Sequence, residues 1–463
     1  MAASSSYPLS SRDPAEIIAF HTGREIPVGQ LLETASRLAS RLPDREYVIN
    51  LFANRYHFLL GFCASTIAGQ CTLLPPNKLD NTMQLLSGDY PDLYTVGNPG
   101  PRYFDMLGGE SIEFPERGAS RAQTPKIPGD QVCAIAFTSG STGRPAPNRK
   151  SWRTLRGGAI SNAGMLGTGK SERMNLLATV PAQHMWGFET SVMLPLFSNT
   201  AASDELPFFP QDIADALSRL PAPRALVSSP VHLDALLKSG VRLPGLDRIF
   251  TATAPLSKDQ AQALEASYGA AVLEIFGSSE SGIIATRKSA TQTLWTLSDD
   301  MELSVREGAA HVRGRHLPDE IELPDLIELA PDRTFRWLGR QQDMVKIAGK
   351  RCSLADLNRK LSAIPGVDDG VIFLPPGASE RLAALVVAPR LRCRAILEAL
   401  KPLVDPVFLP RPVFLVERLP RQETGKLAQS AVLELFERTR NDIAQGDNPR
   451  RDRQRELTRS KET

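Results

Sequence analysis

The sequence predicts an α/β protein with a large N-terminal domain and a small α+β domain behind it. Three observations predict this. At 463 residues the chain exceeds what one hydrophobic core organises, so two or more domains are expected. Short apolar runs that read as buried strands alternate with helical segments through most of the chain. The segment after Gln342 then reads as a compact set of short helices and strands. The expected divisions are residues 1–341, residues 342–437, and a charged tail, 438–463, with almost nothing apolar to order it.

Composition excludes several classes. Hydrophobic residues make up 42% and charged residues 23%, ordinary for a globular protein, and the net charge of +2 gives no field for nucleic acid or a membrane surface. The five cysteines (Cys63, Cys71, Cys133, Cys352, Cys393) form no C-x-x-C pair, and their odd number fits reduced thiols in a cytoplasmic protein. The six histidines lack metal-ligand spacing. Met1 to Pro14 is Ser-rich without a signal-peptide core. The most apolar window, near Phe58–Pro75, is broken at Gln70 and too short to span a bilayer, so no membrane span is expected.

Taken in order, Tyr47–Leu51 reads as a strand, His57–Ala68 as a buried helix, Cys71–Leu74 as a strand stopped by two prolines, and Asp80–Leu86 as a helix. Residues 96–129, rich in Gly, Pro and charge, read as a long surface connection. Val132–Phe137 is the next buried strand, followed by a helix at Arg156–Leu166 and a strand at Asn175–Val180. Strands Ala225–Ser228, Arg248–Ala252 and Val272–Phe276 alternate with helices His232–Ser239 and Lys258–Ser267. Alternating runs between Trp295 and Leu329 predict a small antiparallel sheet or barrel. The last domain carries helices at Leu354–Ala363 and Ala395–Leu400, with strands at Val371–Leu374, Leu382–Val387 and Pro412–Val416.

The stretch with the most chemistry follows the strand Val132–Phe137. Thr138-Ser139-Gly140-Ser141-Thr142-Gly143 places small hydroxyl residues and glycines where backbone N–H groups and hydroxyls can converge on one anion. It lacks the Gly-Lys pair of P-loop nucleotide enzymes, and Pro145 and Pro147 direct the chain onward as extended backbone. Downstream, Asn175–Val180 runs out into Pro181-Ala182-Gln183-His184-Met185-Trp186-Gly187-Phe188, a plausible pocket wall because α/β sheets bind ligands at strand ends. Ser229, Thr253 and Ala254 fall at two further strand ends. Phe276-Gly277-Ser278-Ser279-Glu280 sets a carboxylate, suited to Mg²⁺, beside a hydroxyl.

The loop Thr138–Pro145 resembles the signature loop of the adenylate-forming superfamily, which includes acyl-CoA synthetases, aryl acid ligases, luciferases and peptide-synthetase adenylation domains. Three further segments resemble that family's motifs in the right order: Phe276–Glu280, Gly339–Arg351, and Pro420-Arg421-Gln422-Glu423-Thr424-Gly425-Lys426. The resemblance runs from about Leu31 to Gln429. It implies a large domain of stacked mixed sheets with helices, a barrel-like subdomain, and a small mobile C-terminal domain.

It also assigns roles. Thr138 to Gly143, Thr253, Ala254, Phe276, Gly277 and Ser279 would line the ATP site, with Asp325 on the ribose hydroxyls and Arg340 on ribose or phosphate. Glu280 would hold Mg²⁺ and Lys426 would be the catalytic lysine. His184 would lie beside the carboxylate being activated, with Met185, Trp186, Gly187 and Ser229 in the acid pocket. Gln342 would be the hinge, and Gly349 would approach the thiol of CoA or of an acyl carrier protein's phosphopantetheine. The implied activity joins a carboxylic acid, preferably aryl or medium acyl, to that thiol through an acyl-AMP.

The chain departs from the family pattern in places. Ala146 stands where the phosphate loop usually carries Lys, with Arg149 or Lys150 as replacements; Leu-Pro precedes Asp325 in place of Thr-Gly; Gln429 replaces a common Arg. Two rival readings follow. A stand-alone amino acid adenylation domain would need an acid where Met185 stands. A non-catalytic nucleotide-binding relative would bind without turnover.

Overall fold

The computed structural model describes residues 5–78, 80–97, 110–111, 123–139, 145–168, 172–340, 343–347, 350–376, 381–421 and 427–444. The chain divides into two units, each described here separately. The first holds residues 1–323, 329–336 and 423–425; the second holds 324–328, 337–422 and 426–463. This division runs through the strands Asp325–Ala330 and Thr334–Arg340, so it is not a single cut near residue 341.

The first unit is built on two sheets. One has six strands in the order Pro145–Ser151, Val132–Ser139, Cys71–Leu74, Tyr47–Asn50, Leu93–Gly97, Glu110–Ser111. All neighbours are parallel except the first pair. Pro145 and Pro147 are compatible with this sheet because their strand lies at its edge, where a missing N–H is tolerated.

In the other sheet, five strands run parallel as neighbours: Ala271–Ser278, Arg248–Thr251, Arg224–Ser228, Met174–Ala178 and Thr200–Ser203, with Ile17–His21 parallel beyond them. Gly282–Arg287 and Trp295–Leu297 extend it antiparallel on the other side.

Two helices lie between the sheets. Arg55–Ile67 packs against strands of both, and so does Trp152–Met165. Their sequences explain the placement. Phe58, Leu59, Leu60, Phe62, Cys63 and Ala64 leave the first helix apolar nearly all round, and a helix without a polar face must be covered on every side. Phe62 meets Phe188 edge-on at 4.8 Å across this layer. Amphipathic helices such as Pro210–Ser218 cover the outer face of the second sheet through Ile213, Ala216 and Leu217.

Several expectations change here. The region expected to be a barrel is an open three-stranded antiparallel sheet of Met301–Arg306, Ala309–Gly314 and Ile321–Leu323. The supposed connection 96–129 contains the strand Lys126–Pro128, which pairs with Ser6–Pro8 and buries Ile127. None of the five cysteines is in a disulfide. Among the described residues no helix is long and apolar enough to cross a membrane.

The second unit centres on a sheet of Asp369–Phe373, Ala383–Val387 and Val413–Leu415. Leu357 and Leu361 of one helix, with Ile396 and Leu400 of another, pack on one face. On the other face Val432 and Phe436 pack against Phe373, Ala383 and Leu385. Those last two apolar residues belong to a helix, Gln429–Ala444. The segment expected to be a disordered tail from residue 438 therefore begins helical, continuing a helix nucleated upstream; residues 445–463 lie outside the described residues.

Candidate active site

Parallel pairing gathers most of the predicted positions. In register, Ala178 faces Val227, Ser228 faces Thr251, and Thr251 faces Glu274. Four neighbouring strands thus end at one edge of the second sheet, and the segments that follow carry His184, Ser229, Thr253–Ala254 and Ser279–Glu280. At about 4.8 Å per strand, the row is ~14 Å wide, the width of a site for a nucleotide and a small acid. Thr179 and Ser228 tie two of these ends together through hydroxyls 2.7 Å apart.

The turn that bears Glu280 is held tightly. Ser281 N–H donates to Ser278 Oγ at 3.1 Å, and Ser278 N–H donates to Ser281 Oγ at 3.3 Å. A Cβ on Gly277 would lie 2.2 Å from the Gly282 carbonyl oxygen, so only glycine lets the two limbs approach. Phe276, half-buried, packs on Trp295 and Phe335 with ring centroids 5.3 and 5.5 Å away. Ser279 and Glu280 are both partly exposed.

Thr253 sits at φ +81, and Ala254 is exposed. A β-branched residue in the left-handed region is strained, at a cost on the order of 1–3 kcal/mol, and such strain concentrates at functional sites. Ser229 is less accessible. It is fully buried, and its hydroxyl shares a hydrogen bond with His232 Nδ1 at 2.9 Å.

His184, half-buried, precedes the short helix Met185–Phe188. Met185, Trp186 and Phe188 are core residues, exposed by 8%, 5% and 0% respectively. Met185 also lines a small cavity with Glu189 and His316. Gly187 has a steric reason. A Cβ there would stand 2.1 Å from the Pro181 carbonyl oxygen. Gly187→Ala is expected to destabilise the protein by about 1–3 kcal/mol by forcing this loop apart; a denaturant midpoint equal to wild type would contradict the contact.

Of the phosphate loop, the backbone of Thr138 and Ser139 is described; Gly140, Ser141, Thr142 and Gly143 lie outside the described residues. Ser139 pairs with Pro145 and Thr138 with Ala146, so both ends of the loop are fixed by the sheet. The register also decides between the replacements for lysine at Ala146. Arg149 projects from the opposite face of the strand, near Tyr47, Cys71 and Tyr90; a hydrogen bond to Glu46 raises the pKa of Tyr47 and burial raises those of Cys71 and Tyr90, and Arg149 opposes each shift only in part. Lys150 shares the face of Ala146 but stands four residues, about 13 Å, along it. Its ammonium is buried and donates to the Glu280 carbonyl oxygen at 2.6 Å. Neither side chain stands where the loop lysine would.

In the second unit Asp325 and Arg340 come together. Asp325 is buried and accepts from the Trp337 indole N–H at 2.7 Å, while Arg340 Nε lies 3.8 Å from the same carboxylate oxygen. Trp337 has no local sequence signal; only its pairing with Asp325 marks it. Gln342, Gly349 and Lys426 lie outside the described residues. Their flanks are ordered: Met344–Ile347 pairs antiparallel with Lys350–Ser353, and Arg421 bridges Leu427.

Comparison with known proteins follows this geometry. A family model described as AMP-binding enzyme matches residues 88–312. A 4-coumarate--CoA ligase of Halorhodospira halophila is 31% identical over 263 residues, 55% of this chain and 62% of that one, so the match spans less than two thirds of that relative. The crystal structure of ATP-bound MatB from Rhodopseudomonas palustris superposes with a TM-score of 0.78 at 19% identity, covering 92% of this chain and 96% of that one. The O-succinylbenzoate coenzyme A synthetase MenE from Bacillus subtilis, in complex with AMP, gives 0.77 at 17% identity, covering 92% and 98%. At these identities the two structures speak for the fold, and they support the α/β class expected from the sequence.

Proposed function

We propose, from the premise that this chain belongs to the adenylate-forming, AMP-binding superfamily, that it is an AMP-forming acid–thiol ligase. The observation that carries the reading is the row of parallel strand ends presenting His184, Thr253 and Glu280 along one edge.

A carboxylate is a poor acyl donor, because oxide cannot leave. ATP removes that obstacle. A carboxylate oxygen of the acid attacks the α-phosphorus, the bond to the bridging oxygen of the β-phosphate breaks, and pyrophosphate departs. The thiolate of the acceptor then attacks the acyl carbon, and AMP leaves with the electron pair of the broken C–O bond. The first step brings two anions together, so N–H dipoles and cations must converge on the site. Thr138–Gly143 and Lys426 are assigned that task, and Asp325 accepts the ribose hydroxyls. His184 borders the activated carboxylate, and Ser229 supports the pocket wall from beneath through its bond to His232.

Magnesium fits the donor set. Among the described residues no group of three or more metal-binding side chains exists. Glu280 offers a carboxylate at the strand ends, which suits an ion that takes one carboxylate and completes its shell with phosphate oxygens and water. When bound, the ion neutralises the triphosphate.

The acid is taken to be aryl or medium acyl; the name of the coumarate ligase relative supports the aryl half of that reading. Met185 in place of an acid disfavours an amino acid. The acceptor is the thiol of CoA or of an acyl carrier protein.

Acid-dependent pyrophosphate release, measured with ATP and Mg²⁺ across aryl and aliphatic acids, tests the reading. Release confined to one acid class, followed by AMP release on adding CoA or a phosphopantetheinylated carrier, is the expected result. ATP binding without release for any acid would favour the non-catalytic relative, a reading to which Ala146 lends weight.

A further inference from the structure

We propose that Lys150 and Glu189 are positioning residues for the metal-holding turn at Glu280, two buried charged residues that tie three elements of the fold together beneath it. The proposal rests on Glu280 holding the nucleotide's metal ion. Lys150 comes from the edge strand of the first sheet, and Glu189 opens the π-helical turn Glu189–Met193. The Glu280 turn joins two strands of the second sheet.

Each charge grips a different limb of that turn. Lys150 Nζ donates to the Glu280 carbonyl oxygen at 2.6 Å. Glu189 Oε1 accepts from Ile283 N–H at 3.3 Å. A Cβ on Gly282, at φ +69, would lie 2.6 Å from the same oxygen, so glycine admits the carboxylate under the turn. Both side chains, with Ser281, Gly282 and His316, line a closed-in space of about 20 Å³. His316 is held by Asp300 at 3.1 Å, and Asp300 in turn accepts from Ser161 and Ser298.

The energetics indicate a specific role. Lys150 is 4% exposed and Glu189 8%. Burial lowers the lysine pKa and raises that of Glu189 to about 7, while each charge favours the ionised form of the other. A buried charged pair is seldom the most stabilising filling for its volume, and fixing geometry is its best-attested use. An apolar residue at 150 would leave both the Glu280 carbonyl and Glu189 without their cation. A π-turn at Glu189 is itself a feature common at functional sites.

Three variants test this: Glu189→Gln, Lys150→Met, and the two combined. Glu189→Gln keeps the shape and the acceptor for Ile283 and removes only charge, so it carries the test even if Lys150→Met fails to fold. Calorimetric titration of ATP binding against Mg²⁺ is read beside KM for the acid in pyrophosphate release. Each single variant is expected to raise the Mg²⁺ requirement about 10-fold with acid KM unchanged, as loss of groups supporting a metal ligand does. The double variant is expected to match the singles instead of multiplying them. An unchanged Mg²⁺ requirement in folded Glu189→Gln, equal rises for Mg²⁺ and acid, or additive effects would overturn the proposal. Glu280→Gln reads the premise separately: if it leaves the Mg²⁺ requirement unchanged, the assignment of Glu280 fails, and the proposal with it. ATP binding without turnover overturns the ligase reading yet still reads the pair; no ATP binding by the wild-type protein overturns both.

Discussion

Replacing Lys426 with alanine is expected to lower acid-dependent pyrophosphate release by about 10²–10³-fold while ATP binding changes little, the size of effect seen when one preorganised donor to developing charge is removed. The attacking carboxylate and the α-phosphate repel each other as they meet, and a cation between them acts in the transition state more than in the ground state. Lys426 lies outside the described residues, and the nearest described residues are Arg421 and Leu427. Arg421 makes a two-pronged ion pair with Asp369, at 2.7 and 2.6 Å, and bridges Leu427, whose side chain packs on the sheet beneath the helix Gln429–Ala444. Lys426→Arg is expected to recover part of the rate, since charge returns with different geometry. A release rate within about threefold of wild type in Lys426→Ala would remove Lys426 from the chemistry.

Arg55→Met is expected to destabilise the protein by ~2–4 kcal/mol, read as a fall in the denaturant midpoint. Arg55 is 2% exposed and burial brings its guanidinium pKa down to about 10. Among the described residues it has no carboxylate partner. It donates instead to Ser191 Oγ and to the carbonyl oxygens of Ala178, at 3.0 Å, and Val180, at 2.8 Å. Those carbonyls lie at the strand end that leads to His184, so one cation in the middle layer satisfies the backbone where the chain leaves the sheet. Methionine fills similar volume and relieves the buried charge, yet takes the donor from the Ala178 and Val180 carbonyls, and each buried group left unpaired costs about 1–3 kcal/mol. A midpoint equal to wild type would show that water or local rearrangement satisfies those acceptors instead.

The strands were legible because their signal is local. Cys71–Leu74 is a strand from end to end as read, and Val132–Phe137, Ala225–Ser228 and Arg248–Ala252 were read within two residues of their ends. Each is an apolar run stopped by Pro, Gly or small polar residues, and such a run can be buried in only a few ways. Thr138–Gly143 and Phe276–Glu280 likewise carry their patterns in consecutive residues, although Gly140 to Gly143 lie outside the described residues.

What the sequence did not disclose depended on partners far along the chain. Lys126–Pro128 becomes a strand because Ser6–Pro8 is there to pair with it. The helix Gln429–Ala444 forms on a sheet that Val432 and Phe436 cover, although its later residues read as a charged tail. How deeply Met185, Trp186 and Phe188 are buried was equally hidden, because it depends on the sheets stacked over them. Glu189 gave no signal, and Lys150 was marked only as a replacement for the loop lysine, not as a partner of Glu280. The sequence by itself determined most of the strands, because local patterns encode local structure. Only the tertiary structure decided that Lys150 reaches Glu280, that Trp337 meets Asp325, and that Arg55 caps a distant strand. Burial and long-range hydrogen bonding are properties of which surfaces meet, and no single segment carries that information.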